Sequence, residues 1–192
     1  MLPQLTIQRL VLGSASPRRQ TLLKEAGFKF EVVTADIEEH FPSSLVAHEI
    51  PLYLSQLKAN HLIKSLSENH ILITADTIVW LDNKALNKPA HFKEACDMLN
   101  QLSGRQHEVF TGVSITSSSK QDSFYVRTAV TFKALTSEEI EFYVTHYKPY
   151  DKAGAYGAQD WIGLVGVEKI EGSYFNVMGL PVKELFEHLT TF

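Results

Sequence analysis

Apolar positions along this chain change period repeatedly, and the changes mark out its elements. Leu10-Val11-Leu12 is a continuous apolar run that closes a strand from Arg9 to Leu12. The spacing then predicts a helix from Arg18 to Ala26, with Gly27 as its stop. Phe28 to Thr34 alternates and is rich in Phe and Val, so a second strand is expected there. Asp36 to Ser44 is acidic, contains Pro42 and reads as a loop. Leu52, Leu54, Leu57, Leu62 and Ile63 recur at helical spacing within a long helix from His48 to Ser67. Ile71 to Ala75 has the continuous apolar character of a strand covered on both faces. It is expected to stop at Asp76-Thr77, to resume at Ile78 to Leu81, and to turn at Asp82-Asn83.

The second half follows the same logic. A helix is predicted from Phe92 to Leu102, ended by Ser103-Gly104. Glu108 to Thr116 and Phe124 to Phe132 alternate β-branched and aromatic residues, and polar Ser117 to Asp122 joins them as a hairpin. Thr136-Ser137-Glu138-Glu139 caps a helix reaching about His146. Ala153 to Gly166 is glycine-rich and irregular, Val167 to Ile170 reads as a strand, and Val182 to Leu189 as a closing helix. Alternating strands and helices give an α/β class, and the hairpin requires a mixed sheet. At 192 residues the expectation is one domain, 1–192, with two lobes.

Charge and composition narrow the chemistry. The formal charge of −4 argues against a nucleic-acid partner, which needs a basic face, but leaves room for a small anion in a local basic site. The single cysteine, Cys96, excludes an internal disulfide and a thiolate zinc cluster, and its helical setting predicts a buried packing residue. Met1-Leu2-Pro3-Gln4 lacks the basic and apolar regions of a signal peptide, and no apolar run is long enough for a membrane span. A cytoplasmic location without a membrane partner is therefore expected.

Candidate chemistry concentrates in short segments. Gly13-Ser14-Ala15-Ser16-Pro17-Arg18-Arg19 lies where a strand passes into a helix. Free backbone N–H groups and the helix dipole favour an anion there, and guanidinium forks match phosphate oxygens. The alternative is a Ser-capped helix with two solvated arginines. Asp76 follows an apolar strand, where open α/β sheets place ligand sites; it would activate water, hold a metal, or merely cap a turn. Glu38 and Glu39 point in different directions if extended, and one glutamate with substrate phosphates suffices for magnesium; the alternative is a solvated acidic loop. Lys58 and Lys88 are candidate phosphate partners, of which Lys88, in a loop after the strand pair that begins near Asp76, is the more suggestive. Asp151 to Gln159 combines small residues that admit a flat ligand with an amide that pairs with donor and acceptor edges, or forms a tight structural loop. Gly172 to Pro181 is a similar third segment. No histidine has metal-ligand spacing, and His107 reads as a satisfied hydrogen-bonding residue.

Taken in order, Ser14-Ala15-Ser16-Pro17-Arg18-Arg19, Asp36-Ile37-Glu38-Glu39, Lys58-Ala59, Ala75-Asp76-Thr77, Lys88-Pro89, Leu102-Ser103-Gly104 with His107, Asp151 to Gly157 and Gly172 to Pro181 resemble the Maf family of nucleoside triphosphate pyrophosphatases. The resemblance implies an elongated mixed sheet flanked by helices, with two lobes around a nucleotide cleft. It implies hydrolysis between the α- and β-phosphates, with a divalent cation, magnesium or manganese, as cofactor. By position, Asp76 matches the catalytic aspartate and Glu39 an acidic residue that binds the metal or helps activate water. Ser14, Arg18, Lys58 and Lys88 match positions lining the polyphosphate. Arg19, Thr77 and Gln159 match the trio of the branch acting on dTTP and UTP; another branch prefers 7-methyl-GTP. A homodimer is common in the family, and its older name suggests a regulator of septum formation as the alternative to an enzyme. Two departures stand out: Leu54-Ser55-Gln56-Leu57 before Lys58, and Asp160-Trp161 after Gln159, where a glycine is common.

Overall fold

The computed structural model describes residues 9–34 and 37–192. Seven strands form one mixed sheet: β1 (Leu10–Leu12), β2 (Phe30–Val32), β3 (Ile71–Leu81), β4 (Lys84–Leu86), β5 (Gln106–Thr116), β6 (Gln121–Phe132) and β7 (Val167–Glu171). Their order is β2-β1-β3-β5-β6-β7, with β4 paired to β3. β1 runs parallel to both β2 and β3, in register Leu10 with Phe30 and Ile71. β3–β4 and β6–β7 are antiparallel. The helices are α1 (Pro17–Glu25), α2 (Glu49–Leu62), α3 (Phe92–Leu102), α4 (Ser137–Tyr147), α5 (Trp161–Gly166), α6 (Tyr174–Met178) and α7 (Val182–Thr191).

The chain divides into two compact units. The first holds the described residues through Asp76, Thr111–Val126 and Gly179–Phe192; the second holds Thr77–Phe110 and Arg127–Met178. Strands β3, β5 and β6 each contribute residues to both.

In the first unit, Val11, Ala59, Leu62 and Leu72 pack α2 against the parallel strands. Polar bonds buried beneath α2 fix its position further. Thr74 Oγ1 donates to the Ser55 carbonyl (2.7 Å), and the Ser55 hydroxyl lies 3.0 Å from that of Ser114. At Gly112 of β5 the helix meets bare backbone: any Cβ there would fall under 3.0 Å from Pro51 and Leu52. In the second unit, α3 buries Ala95, Met98, Leu99 and Leu102, one face at helical spacing. This face joins Ile140, Tyr143 and Val144 of α4 with Val130, Phe132 and Tyr156 in one core. The expected cap of α4 is a reciprocal box: Thr136 Oγ1 accepts from Glu139 N (3.2 Å) and Glu139 Oε2 from Thr136 N (3.0 Å).

Several expectations are corrected. β3 is unbroken from Ile71 to Leu81, so Asp76 and Thr77 lie within a strand and not at its end. The strand runs through Thr74, Asp76 and Thr77 because apolar positions flank them on both sides, Ile71 to Ile73 and Ile78 to Leu81, and β3 is paired within the sheet. β2 is only three residues long. The long helix ends at Leu62 and tightens into a 3-10 turn over Ile63–Ser65. The glycine-rich 153–166 segment contains a 3-10 turn at Ala153–Ala155 and helix α5, and 172–181 contains α6. The β4 strand lies beyond the turn at Asp82-Asn83, both in the left-handed region. Cys96 is half-buried at the edge of the α3 core, not fully buried. Among the described residues, no helix is long and apolar enough to cross a membrane.

Candidate active site

The first unit gathers most of the candidate residues around the middle of β3. As β1 ends, Gly13 N donates to the Ile73 carbonyl (2.7 Å), which carries the turn toward β3. Ser14 is buried, and its Oγ accepts from Ser16 N (3.2 Å). Ser16 occupies the N-cap position of α1 but makes no side-chain cap bond, and Pro17 follows at the first helical position. Ser14, not a capping Ser16, therefore shapes this turn. Arg18 is half-buried on the first turn of α1.

Arg19 reaches inward. Its Nη1 donates to the Ala75 carbonyl (2.8 Å) and lies 3.4 Å from Ser14 Oγ; its Nε donates to the Gly179 carbonyl (2.8 Å). One planar fork thus ties the Ser14 turn, the strand residue before Asp76 and the Gly179 turn together. Burial draws the Arg19 pKa below its ordinary value, Asp76 and Glu39 oppose that shift, and Arg18 adds to it. A guanidinium stays protonated regardless.

Lys58 projects from α2 between two carboxylates. Its Nζ donates to Asp76 Oδ1 (2.6 Å) and lies 2.8 Å from Glu39 Oε1. The Lys58 and Asp76 side chains are only 14% and 10% exposed, so this is an organised pair and not a solvated contact. The solvated lysine usual on an amphipathic helix is not found at position 58. Glu38 and Glu39 face different partners: Glu38 is exposed and lies 3.5 Å from His40, while Glu39 meets Lys58. Asp36 lies outside the described residues.

The other candidates belong to the second unit. Thr77 is half-buried in β3. Lys88 is exposed in the loop before α3, whereas Lys58 is engaged with two carboxylates. Gln159 Nε2 donates to Asp160 Oδ1 (3.1 Å). His107 Nε2 is paired with the Tyr156 hydroxyl (2.8 Å), while its Nδ1 has no hydrogen-bond partner among the described residues. Burial lowers the His107 pKa to about 4, so the imidazole is neutral at pH 7.

Sequence reasoning missed the supports: the Ala75 and Gly179 carbonyls, the Thr74–Ser55 bond, and the Tyr143–Asp160 pair. Backbone acceptors leave no composition signal. Gly179 does carry one, since its positive φ of 110° marks a turn that only glycine enters easily.

The donor set bears on a metal. Among the described residues no group of three or more His, Cys, Asp or Glu could hold an ion. Glu39 and Asp76, brought to one ammonium, supply the one or two hard oxygens that magnesium takes when phosphates complete its shell. The residues present fit such an ion.

Residues 9–192 match the family described as Maf-like protein. The chain belongs to the Maf family. Among Maf relatives, the dTTP/UTP pyrophosphatase of Phocaeicola vulgatus is 50% identical over 190 residues, covering 98% of each chain. That of Parabacteroides distasonis is 48% identical over 193 residues, covering both chains fully. In fold, the Ham1 protein of Staphylococcus aureus is similar at a TM-score of 0.54, with 14% identity, covering 96% of this chain and 99% of that one.

Proposed function

We propose that this Maf chain is a pyrophosphatase that hydrolyses dTTP and UTP between the α- and β-phosphates, releasing a nucleoside monophosphate and pyrophosphate. The observation that carries the reading is Lys58, held between Asp76 and Glu39, with Arg19 tying the Ser14 turn to the strand residue before Asp76. Full-length relatives named dTTP/UTP pyrophosphatase, at 48–50% identity, support the substrate class.

The residues divide the work. Asp76 orients the attacking water and takes its proton; a carboxylate has several lone-pair sites, so the bond to Lys58 leaves room for that role. The new bond forms from water oxygen to the α-phosphorus, and the bond to the bridging oxygen breaks, with pyrophosphate as leaving group. Ser14, Arg18, Lys58 and Lys88 hold the phosphates, and positioning with charge stabilisation supplies most of the acceleration. Glu39, with Asp76 near it, would hold magnesium or manganese. A cation bound there supplies further neutralisation of phosphate charge. Arg19, Thr77 and Gln159 select the base. Arg19 does so indirectly, since its fork is engaged with backbone carbonyls. Gln159 does so through an amide complementary to the carbonyl and imide N–H of thymine and uracil. A cytoplasmic location follows from a substrate drawn from the free nucleotide pool.

The test is pyrophosphate release with magnesium from dTTP, UTP, CTP, ATP, GTP and 7-methyl-GTP, comparing wild type with Asp76→Asn. The reading expects dTTP and UTP to turn over fastest and the variant to lose roughly a hundred- to ten-thousand-fold while its Tm is retained. Orthophosphate as the product, or wild-type turnover in the variant, contradicts it.

A further inference from the structure

Asp160 occupies the N-cap position of α5, yet its side chain makes no cap bond. An aspartate at that position ordinarily accepts from the helix's free N–H groups and stabilises it by about 1 kcal/mol. Here both carboxylate oxygens are turned elsewhere. Oδ2 accepts the Tyr143 hydroxyl (2.7 Å), with Lys152 Nζ at 3.8 Å. Oδ1 accepts Gln159 Nε2 (3.1 Å). The Tyr143 oxygen in turn accepts Gly157 N (3.1 Å), so Tyr143 is fixed from two sides.

The chain is built to permit this arrangement. The Gln159 amide and the Asp160 carboxylate lie over Gly157, where a Cβ would stand 2.6 Å from both Gln159 Nε2 and Asp160 Oδ2. Tyr143 is fully buried, and burial together with the Asp160 charge pushes its pKa up, which keeps the hydroxyl a donor. Burial, and secondarily the same charge, raises the Tyr174 pKa. Lys152, 13% exposed, supplies a countercharge shared with Asp151 (2.8 Å).

An ionised carboxylate only accepts hydrogen bonds. The amide end facing Asp160 must therefore be the nitrogen. That leaves Gln159 Oε1, which is shielded from solvent and has no hydrogen-bond partner among the described residues. A buried carbonyl left in that condition costs about 1–3 kcal/mol, recovered by any donor that reaches it. Reaching it takes a shift of the atoms that cover it, which binding would drive. The second N–H of the amide remains for an adjacent acceptor.

We propose that Asp160 is a positioning residue for base selection: it holds the Gln159 amide nitrogen on its own carboxylate, so that the oxygen is left to accept from a nucleobase with a ring N–H. This rests on the reading of Gln159 as the base-reading residue. A pyrimidine with a protonated N3 beside a carbonyl matches an oxygen and an N–H side by side. Cytosine, with an unprotonated N3 beside an amino group, meets oxygen against nitrogen and hydrogen against hydrogen. An amide free to flip would serve both bases.

The experiment compares wild type, Gln159→Ala and Asp160→Asn on UTP and CTP, with kcat, KM and Tm for each. Asparagine both donates and accepts, so it no longer dictates the amide's orientation. The expected result is an about tenfold fall in the UTP-to-CTP ratio of kcat/KM for Asp160→Asn, the equivalent of one hydrogen bond. It should arise through KM for UTP, with kcat little changed. A ratio lost in Gln159→Ala but kept in Asp160→Asn overturns the positioning role alone. A ratio kept in Gln159→Ala overturns the base-reading itself. Should Asp160→Asn unfold, wild-type NMR decides. One Gln159 side-chain amide proton must sit downfield and move with the Asp160 carboxyl carbon on acidification. Independent titration of the two refutes the proposal.

Discussion

The hydroxyl of Thr74 donates to the carbonyl of Ser55 across 2.7 Å, bolting β3 to α2 at a point two residues before Asp76 and three before Lys58. This bond sets the distance over which the lysine must reach the aspartate. Thr74→Val keeps the shape and removes the donor. It should cost about 1 kcal/mol of stability, read by urea unfolding. Turnover should fall by more than that loss would suggest, because Lys58 and Asp76 no longer share a fixed frame. Unaltered kcat would show that the frame tolerates slippage.

Lys58→Met removes the cation between two carboxylates while keeping the stem's packing. Breaking a largely buried pair on one side costs about 3 kcal/mol, and Glu39 and Asp76 are left to repel one another. Activity on dTTP should be lost along with several degrees of Tm. Lys58→Arg should recover more stability than activity, since a longer planar fork cannot occupy the same point between the two oxygens.

Arg19→Lys tests the fork. A single ammonium cannot bond the Ala75 and Gly179 carbonyls from Nη1 and Nε positions together. KM for dTTP should rise, and exchange of the amides around Gly179 should accelerate, as measured by hydrogen–deuterium exchange. Unchanged protection at Gly179 would count against the clamp.

His107 provides a pH signature. Its pKa in the folded chain is lowered from 6.5 to about 4 by burial. Between those values the unfolded chain binds a proton that the folded chain refuses. Stability is therefore complete above pH 6.5 and falls as pH drops toward 4, by about 3 kcal/mol from this group. His107→Phe keeps an aromatic ring beside Phe132 and Tyr156 and lacks the proton site. Urea unfolding at pH 7 and pH 4.5 should show a shallower acid loss in the variant than in wild type.

Much of the fold was legible because its elements are periodic. The α3 face, the α4 capping box and the β5–β6 hairpin each declare themselves through spacing and turn chemistry. Errors fell where tertiary context outweighs local preference. Asp76 looks like a strand breaker until the flanking ladder is known, and α5 and α6 are too short for a period to emerge. For the site, the sequence marked Asp76, Glu39, Lys58 and Arg19 as candidates through motif order. It could not show that Arg19 spends its donors on carbonyls, or that Lys58 stands between two acids, since neither is a matter of spacing. Asp160 was visible only as a departure from the family pattern; its bond to Tyr143 joins residues 17 apart.

Strand propensity alone would recommend replacing Gly112 with valine or threonine. In β5 that choice would be self-defeating, because the helix carrying Lys58 rests on the hydrogen of that glycine. Pushing α2 outward by the width of a methyl group would draw the ammonium away from its acids. A rung chosen for strand propensity alone would thus cost the protein twice, once in strain where the backbone of α2 has to give way and once in the chemistry that depends on where that helix sits.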